Sequence, residues 1–538
     1  PDVRKNLFDA VKGGRHTVAD GAPHRLQVVG NSGNNAADNG LNCAPHGREN
    51  SLNCTKRRGD SAGNASPCRL QTAGNGRNNG ADRCLNRVPR GGKSRLHTGK
   101  KPLYAADCAG NNAFDGFPQS YPEIAESLAF VPQGYKCHYQ RRNACHVDLP
   151  TNVAKLPVSS GIAAQPLKKP ERDKEYASFS SIDQAAAMIF KAKHPVILVG
   201  HSAVRNHAGE ALTSFADTLK IPVVNTMMAK GIIPYNNKYS MWTIGIPQKD
   251  YQNKVLDMAD LVIAVGYDIV EFAPGKWNGE GKRKILHIDQ RPAHINMLYQ
   301  PEVEVVGDIS YSLQQIQYRS DAKEEPEEFL KLREEMVAEY ESYADDTSFP
   351  MKPQKILHDV RKFMGADDIV ISDVGAHKMW IAREYNCYEP NTCIISNGFA
   401  TMGIAVPGAV AAKLIYPEKK VLAISGDGGF MMNSQEYETA LREGTPIVTL
   451  IFSDASYGLI KWKQMDHFGH NCFVDFQNPD FVKYAESLHA KGYRVEKAED
   501  LLPILEDAFN QKVPCIIDCP VDYSENTKLS AYLQDKFA

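Results

Sequence analysis

The chain has 538 residues, of which 42% are hydrophobic and 23% are charged, and its formal net charge is −2 at pH 7. This length suits about three domains with sizeable cores. No apolar run approaches the roughly 20 residues of a membrane helix, and the first residues lack a signal-peptide pattern. The 12 cysteines include no Cys-x-x-Cys pair, so no zinc site is predicted. We expect a cytoplasmic protein with no membrane partner.

The first part of the chain differs in composition from the rest. Residues 1–118 contain 18 Lys and Arg against 9 Asp and Glu, and seven of the 12 cysteines lie within the first 145 residues. Asn- and Gly-rich text such as NSGNNAADNGLN has no sustained period of 3.6 or 2. This composition predicts a disordered or poorly packed segment to about residue 143. A basic tail that binds nucleic acid is an alternative, but its charges are scattered and its aromatic residues few, so no nucleic-acid partner is expected.

From about residue 165 the sequence alternates between strand-like and helix-like segments. Predicted strands cover 195–200, 221–226, 259–266 and 282–289, and predicted helices cover 183–193 and 207–220. This alternation predicts an α/β fold with a parallel sheet and helices on both faces, in a central domain at 165–320. The charged segment 324–346 predicts a solvent-facing helix within a linker at 321–350.

A second α/β unit is predicted over residues 351–538. Its predicted strands cover 368–373, 392–397, 420–425, 446–452 and 514–520. Its predicted helices cover 353–364, 377–386, 403–414, 433–443, 478–489 and 498–510. This alternation of strands and helices again predicts a parallel sheet with helices on both faces.

Two aspartates, Asp427 and Asp454, each come directly after an apolar strand of this second unit. Ligands of open parallel sheets lie outside the carboxyl ends of the strands, so neighbouring strands would point both carboxylates into one crevice. Hard oxygen ligands suit Mg²⁺. Glycines that leave the backbone accessible to a phosphate stand at Gly426, Gly428 and Gly429. A helix expected from about Asn433 adds its positive end, so the pattern predicts a Mg²⁺–diphosphate site. Two ordinary turns that each contain an aspartate are the alternative.

The text around these aspartates resembles the acetolactate synthases, which are thiamine diphosphate-dependent enzymes. Matching C-terminal segments are DVGAHKMWIARE (373–384), ISNGFATMGIAVPGAVAA (395–412), SGDGGFMMNSQEYETALR (425–442) and CIIDCPVDYSEN (515–526). Matching central segments are HSAVRN (201–206), MMAKGIIP (227–234), VGYDIVEFAPGKWN (265–278) and HIDQRPAHI (287–295). The resemblance covers roughly 144–538. It implies a three-domain architecture of doubly wound parallel sheets, with a pyrimidine-binding-type domain at 1–160 whose sequence is aberrant and a diphosphate-binding domain at 351–538.

The resemblance also implies roles for individual residues. The Mg²⁺ ligands would be Asp427, Asp454 and the backbone carbonyl of Ser456. The cofactor-binding residues would be Gly375, Ala376, His377, Ala400, Met402, Gly426, Asp427, Gly428, Gly429 and Tyr457. Met402 would also serve catalysis, because it wedges under the cofactor and holds its V shape. Taken alone, His377 would be read as a structural histidine and Met402 as a core residue.

The implied reaction is the decarboxylation of pyruvate and its condensation with a second pyruvate to give 2-acetolactate. Text like GYDIVEF…WN is typical of the catabolic, flavin-free branch, so FAD is not expected, although MMAKG is also compatible with the flavin-binding branch. Trp462 and Lys463 depart from the expected acceptor segment, so another 2-keto-acid decarboxylase or carboligase is the runner-up. Cofactor sites in this family lie between two chains, which implies a homodimer or homotetramer.

The implied chemistry also requires a glutamate beside the cofactor's pyrimidine, which the N-terminal domain supplies in this family. Residues 1–140 contain three glutamates, Glu49, Glu123 and Glu126. Glu49, in PHGRENSLN, stands at about the right distance and is the catalytic candidate, although no strand leads in and no apolar helix leads out. A coding sequence read out of frame would produce this text, with its scattered cysteines and excess Arg and Asn. A cofactor-binding but inactive homologue is the other interpretation.

Overall fold

The structure is a computed structural model that describes residues 174–246 and 249–537. Glu49 and the domain predicted at 1–160 lie outside the described residues. The described residues contain two six-stranded parallel sheets, each with helices on both faces, which confirms the predicted α/β class. In this part of the chain no helix combines the length and the apolar character that a membrane crossing requires.

The first sheet contains six parallel strands. They are β1 (Pro195–Val199), β2 (Val223–Asn225), β3 (Ser240–Thr243), β4 (Leu261–Val265), β5 (Lys284–Asp289) and β6 (Val303–Val306). Their order across the sheet is β3-β2-β1-β4-β5-β6. The order reverses between β1 and β4, and such a reversal opens a crevice at the carboxyl ends of the two strands.

The second sheet also contains six parallel strands. They are β7 (Ile369–Ser372), β8 (Cys393–Ile395), β9 (Val421–Gly426), β10 (Val448–Ser453), β11 (Lys491–Arg494) and β12 (Cys515–Pro520). Their order is β11-β12-β10-β9-β7-β8. Strands β9 and β10 are therefore neighbours, with Phe452 opposite Gly426 in the register. Residues that follow these two strands meet at one edge of the sheet.

Fifteen α-helices cover the sheets of the described chain. They are α1 (Phe179–Lys191), α2 (His201–Arg205), α3 (Gly209–Leu219), α4 (Tyr251–Met258), α5 (Ile309–Tyr318), α6 (Glu327–Glu341), α7 (Pro353–Phe363), α8 (Ala376–Glu384), α9 (Ala405–Ile415), α10 (Asp427–Met432), α11 (Glu436–Arg442), α12 (Gly458–Phe468), α13 (Phe481–Ser487), α14 (Leu501–Phe509) and α15 (Ser524–Phe537). Short 3₁₀ helices lie at Met227–Ala229, Pro274–Lys276 and Ala498–Asp500.

Local sequence signals explain where several of these helices begin and which face they bury. Asp250 caps α4 through a reciprocal capping box with Asn253, and Pro353 opens α7, where its missing N–H costs nothing. In α3 the buried residues Leu212, Phe215 and Leu219 recur every three to four positions, so they share the face that packs on the sheet.

The structure differs from the sequence-based expectation in two helices that matter here. Helix α6 was expected to face solvent, but Phe329, Met336 and Tyr340 are buried because their spacing places them on one face. The helix expected over 433–443 is α11 (Glu436–Arg442), but a separate short helix, α10, begins at Asp427 directly after β9. The first of the aspartates therefore stands at the start of a helix that the sequence did not predict.

A buried ion cluster joins the two halves of the described chain and positions α8. Arg383 on α8 pairs with Asp250 at 2.9 Å and with Glu339 on α6 at 2.7 Å, and it also contacts Glu384. Removal of one member would leave buried charge uncompensated, which typically costs about 3–5 kcal/mol. This cluster anchors the helix whose first turn carries His377.

Candidate cofactor site

A hydrogen bond joins the side chain of Asp427 to the backbone of Asp454 at the ends of neighbouring strands. The Oδ2 atom of Asp427 accepts hydrogen bonds from the backbone N–H groups of Asp454 at 3.1 Å and of Ala455 at 2.6 Å. Ala455 has a φ of 53°, a left-handed conformation that turns the chain sharply after β10. Both aspartates line one cavity, as their positions after the strands predicted.

Further donors hold the carboxylate of Asp427, whose residue is 1% exposed. Its Oδ1 accepts from the backbone N–H of Gly428 at 2.8 Å, and its Oδ2 also accepts from Nδ2 of Asn478 at 2.8 Å. The Oδ1 atom of Asn478 is buried and has no hydrogen-bond partner among the described residues. Asn478 was missed in the sequence, because it lies in a loop before α13, 51 residues after Asp427.

The carboxylate of Asp454 is harder to ionise than that of an ordinary aspartate. Burial and then the charge of Asp427 raise its pKa to about 7, although Lys461 and the backbone N–H of Ser456 act in the opposite direction. A divalent cation between the two carboxylates would favour the ionised form of Asp454. The described residues do not gather three His, Cys, Asp or Glu side chains into a metal site, so a backbone carbonyl such as that of Ser456 would complete the protein ligands.

Most of the residues predicted to bind the cofactor or metal line a single cavity of about 90 Å³. Those that line it are Gly375, Ala376, His377, Met402, Gly426, Asp427, Gly428, Gly429, Asp454, Ser456 and Tyr457. Ala400 does not line the cavity; it occupies a left-handed turn with a φ of 50°, two residues before Met402. Glu49 lies outside the described residues, so the structure does not place it.

The glycines of the GDGG stretch stand where a side chain would not fit. A Cβ atom at Gly428 would lie 2.9 Å from Cε1 of Tyr457, and one at Gly429 would lie 2.9 Å from Oδ1 of Asp373. Real Cβ contacts of this length are essentially never seen, so these positions leave the backbone bare at the start of α10. A bare backbone beside a helix N-terminus suits the approach of a phosphate group.

The buried imidazole of His377 lines this cavity and is uncharged. Burial lowers its pKa to about 4, against a smaller opposing effect of Asp373, so the imidazole is uncharged at pH 7. A Cβ atom at Gly375 would lie 2.7 Å from its ring, and one at Gly426 would lie 3.2 Å from it. Its Nε2 atom is buried without a partner in the described chain, which leaves a polar group for a bound ligand or water.

Asp373 is a candidate site residue for which the sequence predicted no role, although it begins the motif DVGAHKMWIARE. It follows β7, and its carboxylate accepts from the backbone N–H groups of Gly403 at 2.8 Å and Ala405 at 3.1 Å. These bonds fix the loop that carries Met402 against the sheet. The signal was available, because Asp373 is the last residue of the predicted strand 368–373, and Asp427 and Asp454 likewise stand at strand ends.

A second cavity, of about 310 Å³, lies at the carboxyl ends of β1 and β4, where the order of the first sheet reverses. Such a position is where dinucleotides bind in doubly wound folds, usually with a phosphate at the start of the helix after the first strand. Here Glu271 is among the lining residues, beside His201 at the start of α2.

The carboxylate of Glu271 occupies the place where such a phosphate would bind. Its two oxygens lie 2.9 and 3.0 Å from the backbone N–H of His201, and one accepts from the hydroxyl of Thr226 at 2.6 Å. A Cβ atom at Gly200 would lie 2.7 Å from the same carboxylate. Burial raises the pKa of Glu271 to about 7, although these hydrogen bonds oppose the rise.

Asn397 connects this second cavity to helix α8. Its Nδ2 donates to the backbone carbonyl of Glu271 at 2.8 Å, and its Oδ1 accepts from Nζ of Lys378 at 2.7 Å. Lys378 is 3% exposed, and burial and then the charge of Lys463 lower its pKa to about 8. The loop between β8 and α9 is thus held both by the first half of the described chain and by α8.

Comparison with known proteins identifies both halves of the described chain. The family described as "Thiamine pyrophosphate enzyme, C-terminal TPP binding domain" matches residues 373–519, and "Thiamine pyrophosphate enzyme, central domain" matches residues 182–316. The first match contains all the residues named above that line the cavity of about 90 Å³, including both aspartates. The matches therefore identify a thiamine diphosphate-binding protein.

Curated relatives agree with these matches. The chain is 36% identical to the acetolactate synthase of Bacillus subtilis over 364 residues, which are 66% of this chain and 63% of that protein. It is 30% identical to the catabolic acetolactate synthase of Raoultella terrigena over 400 residues, which are 73% of this chain and 71% of that protein. It is 30% identical to the mitochondrial acetolactate synthase catalytic subunit of Saccharomyces cerevisiae over 401 residues, 70% of this chain and 58% of that protein. The chain belongs to the thiamine diphosphate-dependent acetolactate synthase family.

Proposed function

We propose that this protein is a Mg²⁺- and thiamine diphosphate-dependent acetolactate synthase that decarboxylates one pyruvate and condenses it with a second to give 2-acetolactate. The observation that carries the proposal is the pair of strand-end aspartates, Asp427 and Asp454, in one cavity with a bare glycine backbone. Family membership and the names of the relatives support the same reaction.

The metal would be held by the carboxylates of Asp427 and Asp454 and by the backbone carbonyl of Ser456. The raised pKa of Asp454 supports this assignment, since a cation is the missing partner of two adjacent buried carboxylates. Mg²⁺ retains octahedral coordination and usually completes it with phosphate oxygens and water. The N–H donors that surround Asp427 orient its carboxylate for this role.

The diphosphate would lie along Gly428 and Gly429 at the start of α10, and Met402 would support the V shape of the cofactor. When bound, thiamine diphosphate supplies the thiazolium that accepts the electron pair released by decarboxylation. The protein positions the reactants and excludes water around them. His377 would line the diphosphate site as a neutral imidazole. Because its pKa is lowered, it would carry no positive charge that competes with the metal for the diphosphate.

A flavin is not part of this proposal. The carboxylate of Glu271 already fills the start of α2, where an FAD phosphate would otherwise find free N–H donors. Two anions in this position would repel each other, so the central cavity does not suit a dinucleotide. FAD fluorescence anisotropy should therefore stay unchanged on titration with the protein at pH 8, where Glu271 is ionised.

A homodimer or homotetramer is proposed for the assembly. Phe399 and Phe473 are fully exposed, and Ile460 and Met432 are about half exposed, all on the second half of the described chain. Large exposed apolar side chains close to a cofactor site are typical of surfaces that another chain covers. Sedimentation velocity measures the assembly state directly.

The proposed reaction is tested by incubating the purified chain with pyruvate, Mg²⁺ and thiamine diphosphate and following the products by NMR. Acetolactate with release of carbon dioxide is the expected result. Free acetaldehyde would instead identify a decarboxylase, and acetolactate-like products from other 2-keto acids alone would identify a different carboligase. Cofactor binding with no carbon dioxide release would identify an inactive homologue.

A further inference from the structure

Asn478 reaches the carboxylate of Asp427 from a loop that precedes α13. Its Nδ2 atom donates to Oδ2 of Asp427 at 2.8 Å and to Oγ of Ser453 at 3.1 Å, so both amide hydrogens are used. Its Oδ1 atom is buried and has no hydrogen-bond partner among the described residues. The reversed amide would place that oxygen against a carboxylate, which cannot donate. Asn478 is therefore a fixed N–H donor to one oxygen of Asp427.

The two oxygens of Asp427 differ in how many protein donors they accept. In addition to Asn478, Oδ2 accepts from the backbone N–H groups of Asp454 at 3.1 Å and of Ala455 at 2.6 Å. Among the described residues, Oδ1 accepts only from the backbone N–H of Gly428, at 2.8 Å. A carboxylate oxygen has about two lone-pair sites, so Oδ2 is saturated whereas Oδ1 retains one. Oδ1 is the oxygen that remains available to a cation.

The loop that carries Asn478 is attached to the turn after β10. The backbone N–H of Tyr457 donates to the carbonyl of Val474 at 2.9 Å, and the backbone N–H of Phe476 donates to the carbonyl of Ala455 at 2.9 Å. Both bonds join the loop to residues that stand beside the proposed metal ligands. The approach of the amide to the carboxylate is therefore set by the backbone of the same turn.

Helix α13 fixes the other end of this loop. The side chain of Asp480 caps α13, and Phe481 in its first turn is 1% exposed. The ring centroid of Phe481 lies 5.7 Å from that of Phe430 in α10. The helix that begins at Asp427 therefore packs against the helix that follows Asn478, which holds the amide and the carboxylate in a constant relation.

Mg²⁺ and Ca²⁺ place different demands on a carboxylate. Mg²⁺ requires near-octahedral geometry with short bonds, whereas Ca²⁺ takes more oxygen ligands at longer distances and binds carboxylates through one oxygen or both. A carboxylate that offers a single free oxygen therefore suits Mg²⁺ better than Ca²⁺.

We propose that Asn478 is a positioning residue that sets the metal preference of the cofactor site. It completes the hydrogen bonds of Oδ2 of Asp427 and leaves Oδ1 as the metal-binding oxygen, which favours Mg²⁺ over Ca²⁺. Without the amide, Oδ2 would lose its single side-chain donor among the described residues, and the carboxylate would be free to turn both oxygens toward a larger cation. This inference rests on the proposed function, because it concerns the metal that would bind the diphosphate.

The test measures how much of each metal gives half-maximal binding of thiamine diphosphate to the full chain, in separate calorimetric titrations with Mg²⁺ and with Ca²⁺. The parent should require less Mg²⁺ than Ca²⁺. Asn478→Leu retains a side chain of similar size and removes the donor, so the ratio of the two concentrations should fall by about tenfold, a loss typical for removal of a residue that orients a metal ligand. A purely structural defect would weaken binding with both metals and leave the ratio unchanged.

Two further variants control for folding and for the loss of an amide as such. Asn478→Ser ends one bond earlier and adds no apolar surface, so it should lower the ratio as Asn478→Leu does. Asn237→Leu is the matched control, because Nδ2 of Asn237 donates to Oδ1 of Asp217 at 2.8 Å, the same kind of bond outside the cavity. Its ratio should equal that of the parent.

The outcomes separate this inference from the proposed function. A parent that binds thiamine diphosphate with Mg²⁺, and whose ratio is unchanged in both Asn478 variants, would overturn the inference alone. A parent that binds equally well with Ca²⁺ and Mg²⁺ would also overturn it. Absence of metal-dependent binding in the parent would overturn the proposed function and this inference together.

Discussion

The Oδ2 atom of Asp427 lies 3.1 Å from the backbone nitrogen of Asp454 and accepts its hydrogen bond. The end of β9 and the turn after β10 are thereby tied together before any ligand arrives. One carboxylate is satisfied by protein donors and the other is destabilised by burial and by its neighbour. This asymmetry predicts different consequences for substitution of the two residues.

Asp427→Asn should weaken Mg²⁺-dependent binding of thiamine diphosphate by about 100-fold or more, because it removes a ligand charge and turns an amide N–H₂ toward existing donors. Asp454→Asn should cost less than about tenfold, since an amide oxygen remains an adequate Mg²⁺ ligand. Calorimetric titration of each variant measures both constants. Equal losses in the two variants would contradict the asymmetric roles.

The affinity for Mg²⁺ and thiamine diphosphate should depend on pH through Asp454. Its pKa of about 7 in the metal-free protein means that Mg²⁺ must displace a proton at lower pH. The affinity should be constant above pH 8 and fall up to about tenfold per unit below pH 7. Asp454→Asn should flatten this profile between pH 6 and 8, and a slope unchanged in that variant would assign the effect to another group.

Gly429→Ala should damage the cofactor site, although alanine is the better helix former. The added Cβ would lie 2.9 Å from Oδ1 of Asp373 and so displace the carboxylate that holds Gly403 and Ala405. Overpacking of this kind costs about 1–3 kcal/mol, which exceeds the gain of about 1 kcal/mol from helix propensity.

Gly398→Ala is the matched control for this substitution, because no heavy atom of residues 174–246 and 249–537 lies within 4 Å of its added Cβ. Gly429→Ala should unfold at a lower temperature than Gly398→Ala, and it should bind the cofactor more weakly in a titration. If Gly429→Ala is as stable and binds as tightly as Gly398→Ala, the bare backbone is not required for the site.

Stability should fall as the pH rises from about 4.5 to 7 through Glu271. Its pKa is raised from 4.5 to about 7, so the folded protein retains a proton that the unfolded chain has released in this window. The difference amounts to about 3 kcal/mol by linkage and is constant above pH 7. Glu271→Gln keeps the shape and removes the titration, so the stability of the parent relative to this variant should decline across that window. A constant difference would contradict the raised pKa.

The reading frame of the first 145 codons is open to a direct test. If a shifted frame encodes the N-terminal domain of this family, one alternative translation should contain R-H-E-like text near position 50. Glu49→Gln should then leave the activity of the present chain unchanged. If neither shifted frame gives such text and Glu49→Gln abolishes carbon dioxide release from pyruvate, Glu49 is the catalytic glutamate of a genuine segment.

The sequence predicted the sheets well because buried parallel strands are continuous apolar runs with clear ends. PVILV, LVIAV and VTLIFS stand out in this way, and each became a strand. Strands β3, β6 and β11 were missed because SMWT, VEVV and KGYR are short runs that contain polar residues, at the edges of their sheets. Helix α10 was missed because GDGG reads locally as a turn.

The candidate residues at the ends of β9 and β10 were predicted from the sequence, whereas Asp373 and residues that reach the cavities from distant loops were not. Asp427 and Asp454 are recognisable because each terminates an apolar run. Asn478 and Glu271 act through contacts with residues 51 and 70 positions away, which spacing along the chain does not reveal. The protonation of Asp454 and Glu271 likewise depends on burial, which only the folded chain specifies.

The most direct measurement for the central claim is calorimetric titration of thiamine diphosphate into the full chain, with Mg²⁺ and with EDTA, for the parent and for Asp427→Asn. The account predicts saturable binding that requires Mg²⁺ and is lost in the variant. Binding that persists in EDTA, or that is unaffected by Asp427→Asn, would contradict the assignment of the two strand-end aspartates to a Mg²⁺–diphosphate site.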